Sequence, residues 1–251
     1  MRRSLLAAAA ALAAATPLAI AEGLGTDRVE ARKPPPAATS KHPRKPMSYA
    51  LAQRQGQPVA VLTRRTVLRA SPAGRALATL GRRTEWGTPT VLAALGERGG
   101  WLRVMATQVP NGSSGWIRTR AAGIVVNPWK VEADLSRRLV TVRRNGRAVR
   151  RFRVAVGRPS TPTPTGRFAI TDKLEFTDHS SPYGWGAIAL TGHQPHIEPG
   201  WTGGDRLAIH GTSDPASIGQ AASFGCLRAS DADVHWLVRH AYLGSIVEIR
   251  P

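Results

Sequence analysis

The chain has 251 residues, 42% hydrophobic and only 6% aromatic, with 35 Lys and Arg against 16 Asp and Glu for a formal net charge of +19. That length suits one large domain or two small ones, and the low aromatic content argues against a single dense core. The basic excess is spread as +6 over residues 1–56, +8 over 57–126 and +5 over 127–251, and without a clustered basic helix, a finger motif or interleaved aromatics it excludes a nucleic-acid binder.

Residues 1–21 read as a signal peptide, with Arg2 and Arg3, a Leu/Ala run from Leu5 to Ala15 and a cleavage site at Ala19-Ile20-Ala21. The apolar run is shorter than the roughly 20 residues a bilayer span needs, and Pro17 interrupts its end, so the mature chain is expected to have no integral membrane span. Export to the periplasm or cell wall redirects the positive charge towards anionic cell-wall material. Cysteines in that oxidising space usually pair, yet Cys226 is the only cysteine and can form no internal disulfide. On composition alone such a thiol is either a small buried hydrophobe or a nucleophile.

Residues 22–56 are rich in Pro, Ala, Lys and Arg, include Pro34-Pro35-Pro36 and lack an apolar period, so a disordered basic tether is expected. Over 57–126, short apolar runs (Val59–Leu62, Val67-Leu68, Val91–Leu95, Trp101–Val104, Trp116-Ile117) alternate with turn signals such as Gly99-Gly100 and Asn111-Gly112, as in a small barrel of short strands. Thr66–Arg69, Gly100–Val104 and Gly115–Ile117 resemble, in order and spacing, a bacterial SH3-type domain. The resemblance implies binding to wall peptides; Trp101 and Trp116 themselves read as core aromatics.

From Asn127 to the last residue, 251, the strands lengthen. Val131–Leu135 leads to Leu139–Arg143, Asn145-Gly146 makes a tight hairpin turn, and Ala148–Val156 follows. Nine arginines between Arg137 and Arg158 interleave with apolar residues, as the solvated face of these strands requires. Ser181–Trp201, with Tyr183, Gly184, Trp185, His193 and His196, reads as a lid or a glycine-rich connector. Ser230-Asp231-Ala232-Asp233 opens a helix through Val234, Leu237 and Val238 that ends near Gly244. Asp214 and Asp231 read as turn and cap residues, and His179, His235 and His240 as surface residues. His193 and His196 lack the further ligands of a zinc site, so no metal is expected, and nothing implies a cofactor.

Chemistry concentrates in Ile209-His210-Gly211-Thr212 and Ser223-Phe224-Gly225-Cys226-Leu227-Arg228. A nearby imidazole can draw the proton from a thiol and leave a thiolate–imidazolium pair, and His210 is the nearest candidate upstream of Cys226. Gly225 lets the chain bend so that backbone N–H groups converge on a developing oxyanion, and the adjoining helix N-terminus favours negative charge there.

His210-Gly211-Thr212 followed by Ser223-x-Gly225-Cys226-Leu227-Arg228 resembles the signature of the L,D-transpeptidase catalytic domain, also called the YkuD domain. Asp134-Leu135-Ser136, Asn145-Gly146, Gly157 and Thr163–Phe168 are similar to that family's early strands and proline-rich turn. The resemblance implies a mainly β, sandwich-like catalytic domain over 127–251 with a helix after the cysteine. It makes Cys226 the nucleophile and His210 the base, oriented by the Gly211 carbonyl. Ser223, Gly225 and Arg228 then line the site, with Arg228 suited to a substrate carboxylate. Phe224 stands where many members carry a histidine, which implies altered substrate contact. The implied substrates are peptidoglycan stem peptides: Cys226 attacks a donor tetrapeptide, releases D-alanine and passes the acyl group to an acceptor amine. Water as acceptor makes the same site an L,D-carboxypeptidase, and a non-catalytic wall-binding protein is the remaining alternative. The oligomeric state is not legible.

Overall fold

A computed structural model of the chain describes residues 46–178, 180–201 and 203–251. The expected signal peptide, most of the expected tether and His179 lie outside the described residues. Within the segment expected to be disordered up to Gly56, residues 49–55 are helical. Ser48 caps a seven-residue helix, α1 (Tyr49–Gln55), by accepting from the Leu51 N–H, and Tyr49 and Ala52 are buried. These two side chains join a core with Leu68, Leu102 and Ile117, so the last turn of the basic segment is tied down by burial.

The described chain is mainly β. Seven strands, β1 (Gln57–Leu62), β2 (Thr66–Arg69), β3 (Ala76–Leu80), β4 (Val91–Arg98), β5 (Trp101–Val104), β6 (Gly115–Arg118) and β7 (Ala122–Asn127), form an antiparallel sheet in the order β3-β2-β6-β5-β4-β1-β7. Five coincide with the apolar runs of the sequence. The other two, β3 and β7, lie outside those runs, although β7 holds Ile124-Val125-Val126, and they pair with β2 and β1. Trp101 is buried, with the Arg118 guanidinium 3.9 Å from its ring centroid.

The second unit contains β8 (Trp129–Asp134), β9 (Leu139–Arg144), β10 (Arg147–Arg153), β11 (Val156–Gly157), β12 (Gly166–Glu175), β13 (Gly186–His193), β14 (Arg206–His210), β15 (Ala221–Ser223), β16 (Leu227–Arg228), α2 (Asp231–His240) and β17 (Ile246–Arg250). Eight of its strands form a sheet in the order β10-β9-β8-β17-β12-β13-β14-β16, while β11 and β15 pair separately. The β9–β10 hairpin turns at Asn145 and Gly146, both in the left-handed region with φ 51° and 77°, as a type I′ turn requires. Three of the nine arginines expected on the solvated face are ion-paired, Arg143 with Glu132 at 2.7 Å, Arg150 with Asp233 at 2.6 Å and Arg158 with Glu198 at 2.6 Å.

The stretch expected as a lid or connector, Ser181–Trp201, is in large part strand: Gly186–His193 is β13, buried along nearly its whole length. Its small residues and flanking glycines hide a central strand from a periodicity reading, because burial on both faces removes the alternation. Residues 181–185 and the described residues between His193 and Arg206 lie outside regular strand. The helix α2 begins as expected, with Ser230 accepting from the Asp233 N–H, but stops at His240, short of Gly244.

The two units share a core. Val59, Val91 and Val125 of the first pack in one cluster with Val131, Ile170, Ile188 and Val247 of the second. At the junction Asn127 is almost fully buried. It donates to the Leu243 carbonyl (3.2 Å) and the Ser245 hydroxyl (3.1 Å), and accepts from the Trp129 N–H (2.9 Å). Replacing it by alanine strands three buried polar partners. Asn127→Ala is therefore expected to lower the unfolding free energy by about 2 kcal/mol in urea titrations, within one transition that reports both units.

Candidate active site

The site is built by register. β16 pairs in parallel with β14, matching Ile209 to Leu227 and His210 to Arg228. Ile209 and Leu227 are buried in the main core, so the residues alternating with them, Ala208 and His210 on β14 and Cys226 and Arg228 on the partner, emerge together on the opposite face. On the other side of β14, β13 matches Ala187 to His210, and its methyl side chain leaves room for the imidazole. His210 and Cys226, 16 positions apart in the sequence, are thus brought to one sheet face.

His210 is buried, and its Nδ1 lies 2.6 Å from the Gly211 carbonyl oxygen. With Nδ1–H donating to that carbonyl, Nε2 is left as the basic nitrogen. The Tyr183 ring stands 4.9 Å from the imidazole, and burial pushes its hydroxyl up to about 12, with the Cys226 thiol adding to the effect. Burial lowers His210 to about 4; the Gly211 hydrogen bond works against this and the Arg228 guanidinium adds to it. Burial raises the Cys226 thiol to about 11, opposed by a hydrogen bond from the Ala208 backbone and by Arg228. The thiol donates to the Arg206 carbonyl at 3.7 Å. Burial thus disfavours charge on either group at rest, which works against the thiolate–imidazolium pair that the sequence suggests.

Two further expectations change in detail. The helix N-terminus after Cys226 carries Asp231 and Asp233 in its first turn, so its positive end already has anions of its own. The Gly225 N–H, a candidate oxyanion donor, is instead taken by the Ser223 hydroxyl at 3.1 Å, and that hydroxyl donates to the Cys226 carbonyl at 2.6 Å. Ser223 is buried and clips the loop shut, so its hydroxyl is spent on the cysteine's own backbone. Phe224 lies 5.3 Å from the Trp201 ring, with the Arg158 guanidinium 4.5 Å from its centroid. Arg158 pairs with Glu198 at 2.6 Å, so Phe224 packs against the Gln194–Asp205 connection. Arg228 keeps a buried Nε without a protein hydrogen bond.

Two contributors escape a sequence reading. Gln194 is buried, and its amide donates to the carbonyls of Phe224 (3.0 Å) and Pro162 (3.1 Å). It ties the cysteine loop to the proline-rich turn. Gly225, at φ +118°, comes so close to this amide that a Cβ would lie 1.9 Å from Gln194 Nε2. Asp231, expected as a cap residue, also accepts from the Trp185 N–H at 3.0 Å. Its Oδ1 would be 2.0 Å from a Cβ on Gly211, which is why the residue that orients His210 carries no side chain. The His193 ring bridges Asp205 (2.9 Å) and the Thr107 carbonyl (2.7 Å). Among the described residues no group of three or more His, Cys, Asp or Glu could hold a metal, and no helix is long and apolar enough to cross a membrane.

A sequence profile described as the YkuD L,D-transpeptidase catalytic domain matches residues 128–249. The YkuD protein of Bacillus licheniformis is 32% identical over 125 residues, which are 49% of this chain and 67% of that protein. The Bacillus subtilis YkuD protein is 33% identical over 107 residues, 43% of this chain and 57% of that one. Both carry provisional L,D-transpeptidase names. The chain thus spans little more than half of the Bacillus subtilis relative. An L,D-transpeptidase crystal structure from Mycobacterium tuberculosis covers 83% of this chain and 88% of its own at 15% identity and a TM-score of 0.42, too loose a superposition to locate site residues. The chain belongs to the YkuD family of L,D-transpeptidase catalytic domains.

The neutral pair has a pH signature. The unfolded chain protonates its histidine near pH 6.5, whereas folded His210 does so only near 4, so the unfolded state binds more protons between those values. Stability is full above about pH 6.5 and falls as pH drops to about 4, by roughly 3 kcal/mol for this residue. Imidazole-nitrogen NMR is expected to find His210 neutral down to about pH 4. Iodoacetamide alkylation of Cys226 should keep rising with pH towards 11; a plateau below neutrality would mean a resting ion pair instead.

Proposed function

We propose that the protein is a peptidoglycan L,D-transpeptidase with Cys226 as nucleophile and His210 as general base. The observation that carries this reading is the shared sheet face of Cys226, His210 and Arg228, with His210 Nδ1 held by the Gly211 carbonyl. Cys226 attacks the carbonyl of the donor stem peptide, and its proton passes to His210 Nε2 as the S–C bond forms. The tetrahedral intermediate collapses by expelling the D-alanine amine, which takes the proton back from the imidazolium. An acceptor amine then attacks the thioester, gives its proton to His210, and the thiol leaves protonated. Forming ions only during transfer suits groups whose burial keeps both neutral at rest. Arg228, cationic and with an unpaired Nε, favours the anion that develops at sulfur or oxygen and is suited to hold a substrate carboxylate.

The remaining residues fit the same reading. Residues 1–21 export the chain, the segment after them gives reach, and the seven-stranded unit at 57–126 is a bacterial SH3-type module for wall peptides. The excess of Lys and Arg favours residence on anionic cell-wall material in the periplasm or wall.

The test is incubation with disaccharide-tetrapeptide, read by mass spectrometry. The protein is expected to yield a cross-linked dimer with loss of D-alanine, Cys226→Ala to yield none, and His210→Ala to be slower by about 10²- to 10⁴-fold. Tripeptide alone would identify water as the acceptor. Absence of any Cys226-dependent product would turn the reading towards a wall-binding protein.

A further inference from the structure

The segment joining β3 to β4 reaches out of the first unit onto the catalytic one. Thr84 donates to the buried carboxylate of Asp172 on β12 (2.5 Å), and Glu85 pairs with Arg206 at 3.2 Å. The Trp86 ring centroid lies 5.2 Å from the Arg206 guanidinium. Arg206 is the first residue of β14 and the one whose carbonyl receives the Cys226 thiol. The first unit is thereby fixed at the residue beside the proposed nucleophile.

Trp86 also packs on an apolar cluster of Leu174, Phe176, Ala187 and Ala208. The same four buried side chains carry Tyr183 and Cys226, and all three of the residues resting on them are only partly buried. A tryptophan, a tyrosine and a thiol, each partly exposed, thus rest on one buried apolar cluster. Trp86 is not needed to latch the units, since Thr84 and Glu85, the two residues before it, already do so with directional bonds. A ring anchored by its neighbours, with part of its surface uncovered beside a nucleophile, is available to a ligand.

We propose that Trp86 is a substrate-contacting residue: the first unit forms one wall of the active-site slot, and the indole stacks on the peptide planes and methyl groups of the donor stem peptide. This rests on the transpeptidase reading and adds that the donor subsite is incomplete without the first unit. A flat aromatic face on the same cluster as Tyr183 suits a narrow extended peptide whose side chains are small, and it discriminates by shape without spending a buried polar group.

The experiment compares the full chain with Trp86→Phe and Trp86→Ala in two readouts. One is donor-concentration dependence of Cys226-dependent cross-linking; the other is protection of Cys226 from iodoacetamide by the same disaccharide-tetrapeptide. Trp86→Ala is expected to raise the donor KM and the half-protecting concentration together by about tenfold, and Trp86→Phe by about twofold at most. The acceptor dependence, the ligand-free alkylation rate and the Tm should stay near those of the parent protein. If Trp86→Ala does not fold, Trp86→Leu, which keeps apolar bulk without a ring, carries the tenfold expectation. An active parent with unchanged KM and protection in the variants, or a change confined to Tm and ligand-free alkylation, overturns the proposal and leaves the transpeptidase reading standing. A parent protein without Cys226-dependent product overturns that reading, and this proposal with it.

Discussion

The parallel pairing of β14 with β16 is the constraint on which the rest of the site depends. It consists of only two residue pairs, too few to persist alone. Its support comes from the other edge of β16, where Ala155 and Arg228 exchange backbone hydrogen bonds at 2.8 and 3.1 Å, and from the Ala229 N–H, which donates to the His210 carbonyl at 2.8 Å. Ser223 and Gln194 then hold the loop leading into it. A slip of one residue in this register would turn Cys226 into the core and bring Leu227 to the surface. The buried Ile209 and Leu227 therefore set the geometry of the polar face as firmly as any polar contact does.

Burial shapes the electrostatics in the same place. A thiol pushed up to about 11 and an imidazole pushed down to about 4 disfavour charge on either group, so an unliganded Cys226 is a poor nucleophile towards stray electrophiles. Arg228 acts on the two unequally. It disfavours a second cation at His210 and favours an anion at Cys226, which fits a site that develops negative charge only while a substrate carbonyl is under attack. Placing the imidazole beside an alanine, with Nδ1 locked to Gly211, gives the neutral base one available nitrogen.

Much of this was legible in the sequence, and for physical reasons. The β8 to β10 strands alternate apolar and polar residues because one face is wet, Asn145-Gly146 announces its turn, and His210 with Ser223–Arg228 is dense in chemistry over few residues. What stayed hidden was whatever depends on long-range contact. β13 is covered on both faces and lacks alternation, α1 is made of residues that look like tether until they meet Leu68 and Ile117, and Gln194 is an ordinary amide until it bonds to Phe224. Asp231 read as a cap residue because its partner, the Trp185 N–H, lies 46 residues away. The effect of burial on Cys226 and His210 was invisible for the same reason, since desolvation is a property of the packed site.

The first unit bears on both ends of the Gln194–Asp205 connection that lies over the cysteine loop. At one end Asn111 and His193 exchange side-chain and backbone hydrogen bonds at 2.7 and 2.9 Å, and the Thr107 carbonyl meets the His193 ring. At the other end Glu85 and Trp86 hold Arg206. Between these points Trp201 leans on Phe224 and Glu198 on Arg158. A connection braced at both feet loses conformational freedom before substrate arrives, which lowers the ordering cost of binding. Division into a module that finds the wall and a module that does chemistry therefore understates the architecture. The continuous core through Val59, Val91 and Val125 makes the first unit part of the frame that holds β13, β14 and their connection in position, so the proposed nucleophile and the first unit are coupled through Arg206.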